Sequence, residues 1–92
     1  MVHEKTITAN GDSSFVALGD GEWVIEAVCS DWGDATATLK RILGNESYTV
    51  QDSSGDVVFD NNGGTIVAGG GCYLLNVADY NDSPITFKAS PF

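Results

Sequence analysis

Thr65-Ile66-Val67-Ala68-Gly69-Gly70-Gly71-Cys72-Tyr73-Leu74-Leu75-Asn76-Val77 reads as two short strands of β-branched, aromatic and aliphatic residues joined by three glycines. Glycine reaches positive φ without a Cβ clash, so the chain can reverse tightly at 69–71. The same grammar recurs outward in both directions. Strand patterns run over 3–9, 13–18, 22–29, 35–42, 46–51, 56–59, 64–68, 72–78 and 84–89. Between them lie turn clusters such as Asn10-Gly11-Asp12, Gly19-Asp20-Gly21, Ser53-Ser54-Gly55, Asn61-Asn62-Gly63-Gly64 and Asn81-Asp82-Ser83-Pro84. Short strands with turns about every 8–12 residues are the signature of a sandwich or barrel. The expected fold is all-β: a single small antiparallel β-sandwich, jelly-roll or Ig-like, of about eight or nine short strands over residues 1–92.

Alternation assigns the faces. Trp23, Ile25, Ala27 and Cys29 share one side of their strand, opposite Glu22 and Glu26. Carboxylates resist burial, so the tryptophan side faces the core. Ala35, Ala37 and Leu39 face inward against Thr36, Thr38 and Lys40, while Tyr73, Leu75 and Val77 share a face, as do Ile85 and Phe87. Tyr48 and Val50 share a face. The run Leu39 to Leu43 follows a threonine-rich alternating stretch and precedes Gly44, so it reads as strand and not helix.

Ninety-two residues form one domain, and a chain this short buries only roughly 60–65% of its unfolded surface. Thirteen acidic residues against Lys5, Lys40, Arg41 and Lys88 leave a net charge of −9. Such a surface repels phosphate, so nucleic acid is not an expected partner. It maintains solubility, and it suits a basic docking partner or a cation. No apolar run approaches the ~20 residues of a membrane span, so no membrane partner is expected. The opening Met1-Val2-His3-Glu4-Lys5 lacks the basic and then apolar segments of a secretory signal.

Cys29 and Cys72 lie in strand patterns at a spacing that fits no zinc or redox motif. Free buried thiols are expected, with a disulfide between two strands as the alternative. His3, the only histidine, reads as a surface strand residue near the chain start, a poor anchor for a catalytic base. Asp52, Ser54 and Asp56 place oxygens at alternate positions and are a candidate calcium set, although a glycine at position four and Gly63 at position twelve break the loop pattern. A polar hairpin turn explains the same residues. Trp32 and Tyr80, each in an acidic loop, are the candidate sugar-stacking platform, and Trp32 can equally be tucked under the end of the sandwich. No phosphate-cradling loop is present, because the glycine run leads into a strand with no nearby lysine. No cofactor, resident metal or catalytic residue is expected, and the chain reads as a non-enzyme.

The stretches Thr6-Ile7-Thr8-Ala9-Asn10-Gly11-Asp12-Ser13-Ser14-Phe15-Val16-Ala17-Leu18, Gly21-Glu22-Trp23-Val24-Ile25, Trp32-Gly33-Asp34-Ala35-Thr36-Ala37-Thr38-Leu39 and Ala68 to Val77 together resemble small β-sandwich virion proteins of tailed bacteriophages. The chain departs from that pattern at Lys40-Arg41-Ile42-Leu43, where the family is more polar. The resemblance implies a structural role: a capsid decoration or cement protein that binds the major capsid protein. It would act as a homo-oligomer, a trimer among the expected states, on the virion surface after synthesis in the host cytoplasm. Strand edges that extend a partner's sheet are then expected in the first segment, Glu4 to Ala9 with Glu4, Lys5, Thr6 and Ile7 foremost, and in the last, Pro84 to Phe92. Val24 and Val28, outward between Glu22 and Glu26, mark a face to be covered. The alternative is a glycan- or host-surface-binding module of a tail fibre, built on Trp32 and Tyr80.

Overall fold

The computed structural model describes residues 2–92. Among the described residues eleven strands follow one another: β1 (His3–Ile7), β2 (Gly11–Leu18), β3 (Glu22–Cys29), β4 (Thr36–Leu43), β5 (Glu46–Thr49), β6 (Gln51–Asp52), β7 (Gly55–Asp56), β8 (Val58–Phe59), β9 (Gly63–Ala68), β10 (Gly71–Ala78) and β11 (Ile85–Pro91). They form two main antiparallel layers. One runs β1-β11-β3-β9, the other β2-β10-β4-β5 with β8 also on β4, and β6-β7 is a separate hairpin.

The pairing is nested: β1 with β11, β2 with β10, β3 with β9, β4 with β8, and β6 with β7 at the tip. One long hairpin is therefore rolled up on itself, and the β3·β11 and β4·β10 pairs close the roll. This is the jelly-roll form of the expected sandwich.

The alternation expected of the sequence holds across both layers. Trp23, Ile25, Ala27, Cys29, Ala35, Ala37, Leu39, Tyr73, Leu75, Val77, Ile85 and Phe87 are all buried. Phe87 sits at the centre, its ring edge-on to Phe15 at 6.3 Å and to Phe59 at 5.7 Å. On β2 the inward parity changes. Tyr73 pairs with Val16 but Leu74 pairs with Ser14, which leaves Phe15 as a bulge residue. Phe15 and Val16 consequently both pack against the core, although they are sequence neighbours.

Three expectations are corrected. The segments 46–51 and 56–59 are each interrupted, because Leu39 on β4 accepts from Val50 N and donates to Val57 O, at 2.9 and 3.0 Å. β5 and β8 thus share one edge of β4, and the β6–β7 hairpin leaves between them. The last segment is not an edge: β11 is bonded to β1 on one side and β3 on the other, and with a strand along each edge and the second layer over their face, Ile85, Phe87 and Ala89 lose all exposure. Cys72 is exposed while Cys29 is buried, and both are free, so a pair of buried thiols is not what forms.

The glycine run at 69–71 does two separate jobs. Gly70 takes φ of 88° at the reversal between β9 and β10. Gly69 admits a close backbone approach: a Cβ there would lie 2.0 Å from the Gly19 carbonyl, the same oxygen that accepts from Trp23 Nε1 at 3.0 Å. Gly19 itself has open space where a Cβ would go. Gly69→Ala is expected to lower the unfolding free energy by about 2–3 kcal/mol, whereas Gly19→Ala stays within about 0.5 kcal/mol. Urea denaturation of the two variants checks the contrast.

Candidate functional site

The registers of the β1-β11-β3-β9 layer stack its outward residues into cross-strand rows. Thr6, Thr86 and Val28 form one row, with the two threonine hydroxyls 3.0 Å apart. Glu4, Lys88, Glu26 and Gly64 form the next, so Lys88 stands in register between two carboxylates. Ser90, Val24 and Ile66 follow. Phe92 N donates to Glu22 O at 3.0 Å and carries the last row beyond β11, to Glu22 and Ala68.

Glu4, Thr6, Val24, Val28 and Phe92, singled out from the sequence as partner-facing, therefore all lie on one sheet face. Val28, Ile66 and Phe92 are 54%, 41% and 76% exposed. Ile66 was missed by sequence reading. It sits beside the buried Val67, and only the β3·β9 register reveals that it continues the apolar row from Val24. Ile7 does not belong to this surface. Its side chain is buried opposite Ile85, and Lys5, on the same inward parity, is half-buried opposite Phe87. What remains available at β1 is its backbone edge, since β11 occupies only one side of it. His3 is also turned inward and half-buried, its ring 5.8 Å from that of Trp23, which corrects its reading as a plain surface residue.

Trp32 does not present a sugar platform. It is buried, and its Nε1–H donates to Asn62 Oδ1 at 2.8 Å, an oxygen that also accepts from Cys29 N at 2.7 Å. Tyr80 is half-buried and packs against the core. The two acidic loops that carry them are instead knitted together. Ser83 Oγ lies 2.9 Å from Ser30 Oγ and accepts from Asp31 N at 3.3 Å, while Asn81 Nδ2 donates to Asp31 O at 3.2 Å. The loops at this end of the roll carry Asp31, Asp34, Asp60, Asp79 and Asp82 without a lysine or arginine.

Asp52, Ser54 and Asp56, the calcium candidates, belong to the β6–β7 hairpin and line an open depression of about 350 Å³ beside β9, together with Asp60. Their oxygens do not converge. Asp52 Oδ1 accepts from Ser54 N at 2.7 Å and its Oδ2 from the Thr65 hydroxyl at 2.6 Å, while Asp56 Oδ1 accepts from Gln51 Nε2 at 3.0 Å. Among the described residues no group of three or more histidine, cysteine or acidic side chains is placed to hold a metal ion. The arrangement pins the hairpin to β9 across the open side of the sandwich.

Comparison of the chain with protein-family models, curated proteins and solved structures yields no match.

Two outcomes follow from this geometry. Asn62→Ala strips the acceptor shared by Cys29 N and the Trp32 indole and is expected to cost about 2 kcal/mol of stability, read by denaturant titration of tryptophan fluorescence. The hydrogen bond from Thr65, and then that from Ser54 N, hold the Asp52 carboxyl below the usual carboxylate range. A carboxyl depressed in the folded state stabilises it above the unfolded pKa, and that contribution fades as pH falls through the folded value. Carboxyl-detected NMR titration should show Asp52 titrating low, and Thr65→Val should move it back up.

Proposed function

We propose that this chain is a structural, non-catalytic protein of a tailed-phage virion that decorates the capsid by docking on the major capsid protein. The docking surface is the outer face of the β1-β11-β3-β9 layer together with the free edge of β1. The protein works as a homo-oligomer, a trimer among the expected states, on the virion surface after synthesis in the host cytoplasm.

The observation that carries this reading is the gathering of Glu4, Thr6, Val24, Val28, Ile66 and Phe92 on a single sheet face. Val24 and Ile66 meet in register near the end of the layer, beside Phe92, while Glu4, Lys88 and Glu26 supply a charged row next to them. Apolar contacts bordered by charge are the usual anatomy of a protein interface. A shell built from many copies needs only a modest contact at each site, because the symmetry repeats it. Two further supports are the sequence resemblance and the jelly-roll wrap, which recurs in viral capsid domains and is an argument by analogy of fold. Jelly rolls also build lectins, but burial of Trp32 removes the aromatic platform that the glycan reading required.

The test is sedimentation of the purified protein with capsid shells that lack it, alongside native mass measurement of the free protein. The wild type is expected to be oligomeric and to pellet with shells. The doubly substituted Val24→Asp, Ile66→Asp protein should lose binding by at least about tenfold while remaining folded, both positions being on the outer face. A monomer that ignores the shells overturns the proposal.

A further inference from the structure

On β4 the inward parity of Ala37 and Leu39 continues to Arg41, so the only arginine of the chain projects between the layers while Lys40 points out. In register, Arg41 lies between Tyr73 on β10 and Tyr48 on β5. These side chains, with Thr49 and Gln51, line an open cavity of about 430 Å³.

The guanidinium is held before any ligand arrives. Its Nη2 donates to Gly70 O at 2.9 Å, and its central carbon stands 6.0 Å from the centre of the Tyr73 ring. It lies so close over Gly71 that a Cβ there would be 2.6 Å from Nε. The Tyr73 hydroxyl is already committed to Ala68 O at 2.5 Å, and burial pushes its pKa up against the opposing pull of Arg41. The phenol therefore stays neutral and offers Arg41 its ring face only.

Arginine carries five N–H donors. One serves Gly70 O, and Nε is shut away with no partner. Nη1 and the second N–H of Nη2 remain. A cation turned between two sheets is ordinarily matched by a carboxylate. This chain has thirteen acidic residues, and none among the described residues is placed within 4.0 Å of Arg41 to form that pair. Asp20, whose carboxylate lies beside Gly70, does not form it.

We propose that the cavity is a carboxylate-binding site. Arg41 takes the carboxylate as a two-pronged hydrogen-bonded pair, and Tyr48, half-exposed at the mouth, covers the group that bears it. A guanidinium fixed in advance loses little freedom on binding, which favours affinity in a small open site. The carboxylate comes either from a free small acid or from an acidic side chain on a second copy of this chain. The site is independent of the virion reading.

The test is a titration of the intact protein with sodium benzoate at constant ionic strength, followed by amide and arginine Nε–H NMR signals. Saturable shifts confined to Arg41, Thr49, Gly70 and Tyr73 are expected. Arg41→Lys, which keeps the charge but loses the fork, should weaken binding at least about tenfold. Tyr48→Ala, at an exposed position, should weaken it several-fold and serves as the second variant if the first does not fold. Shifts that fail to saturate, that sodium chloride reproduces, or that survive in both variants overturn the proposal. Sedimentation then separates the sources. Self-association that benzoate reverses and Arg41→Lys abolishes assigns the carboxylate to a second copy, whereas a monomer that binds benzoate assigns it to a free acid.

Discussion

The structure depends on the exclusion of water from a single thin layer between two sheets. Phe87, Ile25, Leu39, Leu75 and Ile85 lose all exposure there, and they come from both layers: β3 and β11 on one side, β4 and β10 on the other. Each of these strands is hydrogen-bonded on both edges, so its backbone polar groups are paired before its side chains pack. Burying a large aliphatic or aromatic side chain contributes about 1.5–3 kcal/mol, so a handful of such residues is a large share of the stability of a domain this small. The edge-on contacts of Phe15 and Phe59 with Phe87 lock the two layers in one relative position.

That constraint explains which parts of the fold were legible in the sequence. Trp23, Ile25, Ala27 and Cys29 stand opposite the side that carries Glu22 and Glu26, so their face of β3 could only be inward. Ala35, Ala37 and Leu39 are set off in the same way by Thr36, Thr38 and Lys40. Phe15 and Val16 both reach the core because a bulge changes the parity, and a bulge is a property of two strands in register, which a single strand's pattern does not carry. β11 looked like an edge because it lies near the end of the chain, yet place in sequence says little about place in a rolled hairpin. Its neighbours are chosen by long-range pairing, to β1 at one extreme of the chain and to β3. Trp32 was undecidable for a related reason: its burial rests on an acceptor thirty residues away, Asn62.

The candidate docking face shows the same division. Val24 and Val28 could be placed outward by counting along β3. That Ile66 stands beside Val24, and that Phe92 continues the face beyond Glu22, follows only from the β3·β9 register and a single backbone hydrogen bond. Conversely, Ile7 fell among the edge residues because its strand is an edge, while its side chain belongs to the core. Edge and surface are distinct properties: the first concerns backbone pairing and the second side-chain direction, and a residue on β1 can have either without the other.

A net charge of −9 is an objection to any site for an anion, and its weight can be judged from distances. The Asp31, Asp34, Asp60, Asp79 and Asp82 loops cap one end of the strands, while Arg41 belongs with the Gly69–Gly71 reversal at the other. At physiological salt the screening length is about 8 Å, so carboxylates at the far end act on the cavity only weakly. Asp20, Glu22 and Glu46 are on the near end and oppose an approaching anion. They are exposed and solvated, however, whereas the guanidinium is partly withdrawn from water and packed against an aromatic ring, where its hydrogen bonds are stronger. The short-range fork therefore outweighs the diffuse field. The balance shifts as salt is removed and the screening length grows, so an anion at Arg41 is held least well in dilute buffer, the reverse of an ordinary basic surface patch.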